Sequence, residues 1–142
     1  MFKSKIVNSK VIYEIDESTC KIMFEKANKI IANAFPKTST NKFAVALLTK
    51  HGNIYEGVSY GSDTSTLTMH SEATALAHAA IHGETDIIAI TGPNCHICKQ
   101  LIYENSLRSG IDVVILFKES GKIKQIPIST LMPYPWPEKP IK

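Results

Sequence analysis

The sequence predicts an α/β fold in which helices cover both faces of a five-stranded mixed sheet. Three observations lead to this prediction: an apolar stripe at helical spacing near the N-terminus, short β-branched runs that alternate with helical segments after residue 70, and two strand pairs joined by tight turns. The length of 142 residues fits one domain spanning 1–142. Its proline-rich C-terminal tail, residues 133–142, is expected to lie extended on the surface.

The first predicted element is a helix over residues 17–34, whose apolar positions form one face. Asp16 or Ser18 can cap its start, and Pro36 ends it. Because Cys20 lies on the apolar stripe, we assign it to the core and not to chemistry.

The remaining elements alternate between strands and helices, and each predicted helix is followed by a glycine that can end it. The last two strands are joined by a tight turn and are therefore expected to be antiparallel, which makes the sheet mixed. In chain order the predictions are a strand hairpin at 43–49 and 54–59, a helix at 71–82, a strand at 86–91, a helix at 96–108, and strands at 113–118 and 123–126.

Composition weighs against several classes of protein. The net charge is only +3 and Arg108 is the only arginine, so the side chain that makes bidentate contacts with bases and phosphates is scarce, and nucleic acid is an unlikely partner. No segment approaches the ~20 apolar residues of a membrane span. Three cysteines, two of them in a C-x-x-C pair, do not suggest a disulfide framework, and the first residues lack the apolar run of a signal peptide. We therefore expect a cytoplasmic protein.

Residues able to hold a metal occur at the starts of two predicted helices. His70 and Glu72 open one helix, and Cys95 and Cys98 open the other. Thiolates and imidazole nitrogens are favoured zinc ligands, and a helix N-terminus lowers the pKa of a thiol. His70, Cys95 and Cys98 are therefore predicted to hold one zinc ion, with a fourth position left for water as in catalytic zinc sites. Glu72 need not bind the metal and is predicted to carry protons between that water and a substrate.

This arrangement is similar to the zinc-deaminase signature H-x-E…P-C-x-x-C. Beyond the signature, the chain resembles the cytidine deaminase family, including its blasticidin S deaminase branch, over roughly residues 15–136. The resemblance is carried by the strand that begins at Lys42-Phe43, by Tyr55-Glu56-Gly57, by His70-Ser71-Glu72, by the stretch 94–100 and by Leu131-Met132-Pro133.

The resemblance implies a three-layer fold. It also implies a hydrolase that removes the amino group of a small aminopyrimidine nucleoside or analogue and releases ammonia. Cytidine, deoxycytidine and a blasticidin S-like compound are the expected kinds of substrate. It implies that the carbonyl of Ser71 accepts from the substrate amine, that the backbone N–H of Cys95 faces the attacking oxygen, and that Phe43 lines the ring pocket. Small members of the family are usually homotetramers, so a homotetramer is expected, with a homodimer as the alternative.

Two departures from the family pattern concern the substrate and the turn before the cysteines. The Asn-x-Glu pair that commonly holds ribose is replaced by Ser59-Tyr60-Gly61, which makes Ser59 and Gly61 the expected substrate-binding positions. A modified sugar, a free base or a drug-like nucleoside then becomes a candidate substrate. Asn94 stands where the family has proline, so the turn before Cys95 can differ in shape.

Other interpretations of the same residues stay open at this point. The two cysteines could be a reduced structural pair, His70 a capping residue, and Glu72 a favourable charge in a first helical turn. For His78 and His82, a core or surface role is favoured over a second metal. The rival functions are deamination of a base in RNA or DNA or of a free nucleobase, and a non-catalytic zinc-stabilised scaffold.

Overall fold

A computed structural model describes residues 2–142, and its centre is a sheet of five strands. In chain order, strands β1 to β7 are Lys3–Val7, Lys10–Glu14, Ala44–Thr49, Ile54–Val58, Ile87–Thr91, Val114–Glu119 and Lys122–Pro127. Helices α1 to α3 are Glu17–Ile30, Ser71–Ile81 and His96–Ser109, and short 3-10 turns cover Ile31–Asn33 and Ile128–Leu131.

The central sheet is mixed, which confirms the prediction. Its strand order is β4-β3-β5-β6-β7, in which β5 and β6 are parallel and the other neighbours are antiparallel. Ser120 and Gly121, which join β6 to β7, both have positive φ, the conformation that a tight hairpin turn requires. The parallel crossover from β5 to β6 runs through α3, so α3 starts near the carboxyl end of β5.

Helices cover both faces of this sheet because side chains along each strand alternate between two cores. On β3, Ala46 and Leu48 belong to the core that contains α1, whereas Val45 and Leu47 belong to the core that contains α2 and α3. The predicted three-layer arrangement is therefore confirmed. Cys20 is 1% exposed in the α1 core, which confirms its structural assignment.

The helix ends follow the predicted capping residues. Asp16 caps α1 by accepting a hydrogen bond from the backbone N–H of Thr19 at 3.0 Å. Gly110 ends α3 with a φ of 73°. The first helix is shorter than predicted, since α-helical geometry stops at Ile30 and a 3-10 turn leads towards Pro36. Across residues 2–142, the helices are all too short or too polar to cross a membrane.

An N-terminal hairpin is the element that sequence reasoning missed. β1 and β2 form a separate antiparallel pair that turns at Asn8 and Ser9, whose φ values are 51° and 66°. Every residue of β1 is exposed, so the strand lacks the apolar alternation by which half-buried strands are recognised. The hairpin joins the domain through Val11, whose N–H donates to the Gly110 carbonyl and whose carbonyl accepts from the N–H of Asp112.

The proline-rich tail lies against α3, the helix that carries both cysteines of the C-x-x-C pair. The Tyr103 hydroxyl donates to the carbonyl oxygen of Pro137 at 2.6 Å. Gln100 Nε2 donates to the carbonyl oxygen of Trp136 at 2.7 Å, while the Trp136 ring stays 71% exposed. The tail lies on the surface and is held there through its backbone, but it bends at 133–134, 136 and 138–139 and does not run fully extended.

Gly57 sets the distance between β4 and the first turn of α2. A Cβ at this position would lie 2.2 Å from the carbonyl oxygen of Ser71 and 2.3 Å from the backbone nitrogen of Ala75. Gly57→Ala is therefore expected to lower the free energy of unfolding by about 3 kcal/mol, because backbone atoms must move to admit the methyl group. Urea unfolding measures this. Gly61→Ala is the matched control with a smaller expected loss, since its Cβ would meet Pro36 Cδ at 3.1 Å. Equal stability of the two variants would contradict the prediction.

Candidate metal and catalytic site

His70, Cys95 and Cys98 come together at the starts of α2 and α3. His70 and Cys95 are the N-cap residues of these helices, and Cys98 lies in the first turn of α3. The Nδ1 atom of His70 is 3.4 Å from Sγ of Cys95 and 3.3 Å from Sγ of Cys98. Within residues 2–142, this is the one group of three or more His, Cys, Asp or Glu side chains close enough to hold a metal ion.

These distances fit a zinc ion. With Zn–S bonds of about 2.3 Å and Zn–N bonds of about 2.0 Å, a sulfur and a nitrogen on one tetrahedral ion lie about 3.5 Å apart. Two thiolates and one imidazole are also ligands that zinc prefers. Cys98 is buried, whereas His70 and Cys95 are exposed and line a cavity. Three protein ligands leave one tetrahedral position for a water or a substrate atom.

Burial raises the pKa of the Cys98 thiol, and the nearby Glu72 carboxylate raises it further. Because zinc binds the thiolate and not the thiol, a zinc ion held here would displace the proton of this side chain.

Glu72 lies in the first turn of α2 and is 6% exposed. Both of its carboxylate oxygens accept hydrogen bonds: Ser71 Oγ donates to Oε1 at 3.0 Å, and Asn94 Nδ2 donates to Oε2 at 2.7 Å. Glu72 also lines the same cavity as His70 and Cys95. The structure thus brings all four residues of the predicted zinc and proton-transfer site to one place.

The cavity beside these residues has a volume of about 500 Å³. Its apolar wall includes the rings of Phe35 and Phe43, and Phe35 is stacked on Tyr60 with ring centroids 4.5 Å apart. Its polar wall includes Ser62 and Asp63. A pocket of this size and mixed lining is typical of sites for small organic molecules.

The predicted substrate-binding residues all border this cavity. Phe43 is 61% exposed there, so its ring is not part of the core of this chain. Ser59 is buried, and its hydroxyl oxygen accepts a hydrogen bond from the backbone N–H of Phe43 at 3.0 Å. Gly61 donates its N–H to the carbonyl oxygen of Phe35 at 2.7 Å. Their contact with a substrate stays a prediction.

The two predicted backbone contacts also stay predictions. The carbonyl oxygen of Ser71 accepts a hydrogen bond from Thr74 Oγ1 at 2.9 Å, which occupies part of its capacity as an acceptor. Cys95 borders the cavity at the N-cap of α3, where the first backbone N–H groups of a helix have no intrahelical partner.

His78 and His82 pack with Tyr55 and do not form a second metal group within the described residues. The Nδ1 atom of His78 lies 2.9 Å from the carbonyl oxygen of Glu56, and that of His82 lies 3.0 Å from the carbonyl oxygen of His78. The favoured structural role for these two histidines is therefore supported by their contacts.

Sequence reasoning missed two features of the site. It noted Asn94 only as a change in the turn before Cys95 and did not assign its hydrogen bond to Glu72. It also did not assign Phe35 to the cavity wall. A signal for Asn94 was present, since a polar amide stands between a buried strand and the helix that carries both cysteines.

Comparisons with known proteins agree with this geometry. Residues 17–116 match the family model described as the cytidine and deoxycytidylate deaminase zinc-binding region. A curated relative, the cytidine deaminase of Halalkalibacterium halodurans, is 28% identical over 121 residues, which is 80% of this chain and 90% of that protein.

Solved structures with a similar fold include two bacterial cytidine deaminases. The enzyme from Burkholderia pseudomallei has a TM-score of 0.70 at 20% identity and covers 82% of this chain and 98% of its own. The enzyme from Mycobacterium tuberculosis has a TM-score of 0.71 at 17% identity and covers 87% of this chain and 98% of its own. At these identities the likeness establishes the fold.

Proposed function

This chain belongs to the cytidine and deoxycytidylate deaminase zinc-binding family, and on that premise we propose that its substrate is a free cytidine-like nucleoside or an analogue of one. The chain is a zinc-dependent hydrolase of the cytidine deaminase type. One observation carries the substrate proposal: the cavity of about 500 Å³ is lined by His70 and Cys95 together with the Glu72 carboxylate. A volume of this order suits a molecule of nucleoside size.

We assign His70, Cys95 and Cys98 as the zinc ligands and Glu72 as the proton carrier. Zinc, when bound, supplies the acidity that makes water a nucleophile near neutral pH. Glu72 accepts the proton of the attacking water and gives it to the ring nitrogen next to the amino-bearing carbon. Glu72 then transfers the proton of the new hydroxyl group to the amino group. The C–N bond breaks as the carbonyl forms, so substrate and water give the keto product and ammonia.

The cavity walls support a ring and a polar substituent at the same time. Phe43 offers a flat apolar surface to an aminopyrimidine ring, and Ser59 and Gly61 border the same space. Ser62 and Asp63 offer polar groups to the part of the substrate beyond the ring. Because these groups differ from the Asn-x-Glu pair that commonly holds ribose in the family, a nucleoside with a modified sugar fits the proposal as well as cytidine does.

The proposal is tested with the zinc-loaded protein and a panel of cytidine, deoxycytidine, blasticidin S, cytosine, adenosine and guanine. Ammonia release and the change in ultraviolet absorbance are followed together. We expect turnover of at least one aminopyrimidine nucleoside or analogue and none of the purines. Turnover of cytosine alone would move the assignment to a free nucleobase. A single-stranded oligonucleotide is assayed beside the panel, and turnover of the oligonucleotide alone would move the assignment to nucleic acid.

We further propose that the protein is a cytoplasmic homotetramer. Both thiols of the zinc site must stay reduced to bind the metal, which suits a reducing compartment.

The surface of α3 supports the tetramer, because Ile97 and Leu101 are four residues apart on this helix and their side chains are 72% and 39% exposed. Trp136, 71% exposed, is attached to the same helix through Gln100, and these apolar groups suit a contact between subunits. Light scattering is expected to give four times the chain mass of 15.7 kDa, and a monomer would contradict the assignment.

A further inference from the structure

The carboxylate of Glu72 is held from two sides by neutral donors. Ser71 Oγ bonds to Oε1, and Asn94 Nδ2 bonds to Oε2 at the shorter distance of 2.7 Å. All three residues are buried: Ser71 is 2% exposed, and Glu72 and Asn94 are each 6% exposed. Their burial favours these two bonds over bonds to bulk water, and bonds to a carboxylate are among the stronger hydrogen bonds in proteins.

The orientation of the Asn94 amide is set by its two acceptors. Its Nδ2 also donates to the carbonyl oxygen of Thr91, at 3.2 Å. A flipped amide would turn its own oxygen towards the Thr91 carbonyl and the Glu72 carboxylate, which are both acceptors. The amide nitrogen consequently faces Glu72.

The side-chain carbonyl group of Asn94 lowers the stability of the folded state. Asn94 Oδ1 is buried and meets no hydrogen-bond donor among residues 2–142. It packs near Gly92, where an added Cβ would lie 3.0 Å from it. A buried acceptor without a donor destabilises the folded state. An apolar side chain of similar size would avoid this cost but would also remove the donor to Glu72.

We propose that Asn94 and Ser71 are positioning residues that fix the rotation of the Glu72 carboxylate relative to the metal ligands. Ser71 and Glu72 both belong to α2, whereas Asn94 directly precedes Cys95, the N-cap of α3. The Asn94 bond therefore joins the helix starts that also supply His70 and Cys95. The inference rests on the proposed role of Glu72 in proton transfer. A carboxylate that must exchange protons with water, ring and amine gains rate from a fixed orientation. Asn94 is the stronger contributor because its bond is shorter.

The test compares Asn94→Leu with the matched variant Asn105→Leu. Asn105 also has a buried Oδ1 without a donor in the described chain, but its Nδ2 donates to the Thr85 carbonyl, remote from the metal ligands. We expect Asn94→Leu to lower kcat by about 10- to 100-fold with KM changed less than about threefold, and with zinc content unchanged. Asn105→Leu is expected to leave kcat and KM as they are. Unchanged kcat in Asn94→Leu, or a rise in KM alone, would overturn the proposal.

Ser71 offers a second comparison that separates the hydroxyl from side-chain volume. Ser71→Thr and Ser71→Val have nearly the same shape, and only threonine keeps the donor. We expect kcat of Ser71→Thr to exceed that of Ser71→Val, by about threefold to tenfold, at equal zinc content. Equal kcat values for the two variants would remove Ser71 from the proposal.

A third measurement is independent of turnover and of the substrate. The change in melting temperature caused by Asn94→Leu is measured in the parent protein and again in a Glu72→Leu background. If the bond joins the two side chains, the decrease is smaller in the second background. Equal decreases would overturn the inference. Absence of deaminase activity in the parent protein, with unequal decreases, would instead count against the proposed function and leave the contact supported.

Discussion

Replacing Glu72 by glutamine is expected to lower kcat by about 10³-fold, because proton transfer by a positioned carboxylate contributes about 10²- to 10⁴-fold in enzymes. Glutamine has the size of glutamate and can still accept from Asn94 and meet Ser71, so the local structure should persist. The amide, however, cannot take a proton from water near neutral pH. The expected result is a folded protein that keeps its zinc and has lost turnover, measured by ammonia release with the best substrate of the panel.

Two controls separate this outcome from damage to the site. Zinc content by atomic absorption should equal that of the parent, since Glu72 is not assigned as a ligand. The thermal unfolding curve should remain cooperative, which reports on the buried surroundings of the side chain. A Glu72→Gln protein with parental kcat would refute proton transfer by this residue, whatever its zinc content.

Replacing Cys98 by serine is expected to abolish both zinc retention and activity. Cys98 is 2% exposed and is one of three ligands, and a neutral serine hydroxyl is a poor substitute for a thiolate. Mutation of a residue that only hydrogen-bonds to a metal ligand already lowers metal affinity by about 10- to 100-fold. Loss of a ligand itself should therefore weaken zinc binding by more than about 100-fold. Competition with a chromogenic chelator measures this affinity.

Cys20→Ala provides the matched control for the loss of a buried thiol. Cys20 is also nearly inaccessible, but it lies in the α1 core on the other face of the sheet. We expect this variant to bind zinc as the parent does. Chelation should lower the melting temperature of the parent and of Cys20→Ala, because metal binding stabilises the folded state, and should leave Cys98→Ser unchanged. A Cys98→Ser protein that holds zinc as tightly as the parent would eliminate the assigned ligand set.

The central sheet and its helices were predictable because their signals are local. Apolar and β-branched runs located β3 to β7, helical segments between them located α1 to α3, and glycines and Asp16 marked helix ends. The four residues of the zinc and proton-transfer site were also predictable, since each lies at a helix start with a spacing that suits the chemistry. The loss of α-helical geometry after Ile30 was harder to locate because the apolar stripe continues beyond it.

Other features depend on contacts between segments far apart in the chain. The bond from Asn94 to Glu72 joins residues 22 positions apart, and no pattern within either segment encodes it. The N-terminal hairpin has an exposed strand, so apolar periodicity could not identify it; its turn at Asn8 and Ser9 was the available signal. The cavity wall likewise depends on how Phe35 is brought beside Phe43 by the folded loops.

The attachment of the last residues to α3 has a practical consequence for protein engineering. A chain cut before Pro137 would leave the phenol of Tyr103, which is 3% exposed, without its acceptor, on the helix that bears both sulfur ligands. Deletion of residues 137–142 is therefore expected to weaken zinc binding, even though it removes no zinc ligand. Purification handles are better fused at the opposite terminus, ahead of a strand whose every side chain already meets solvent.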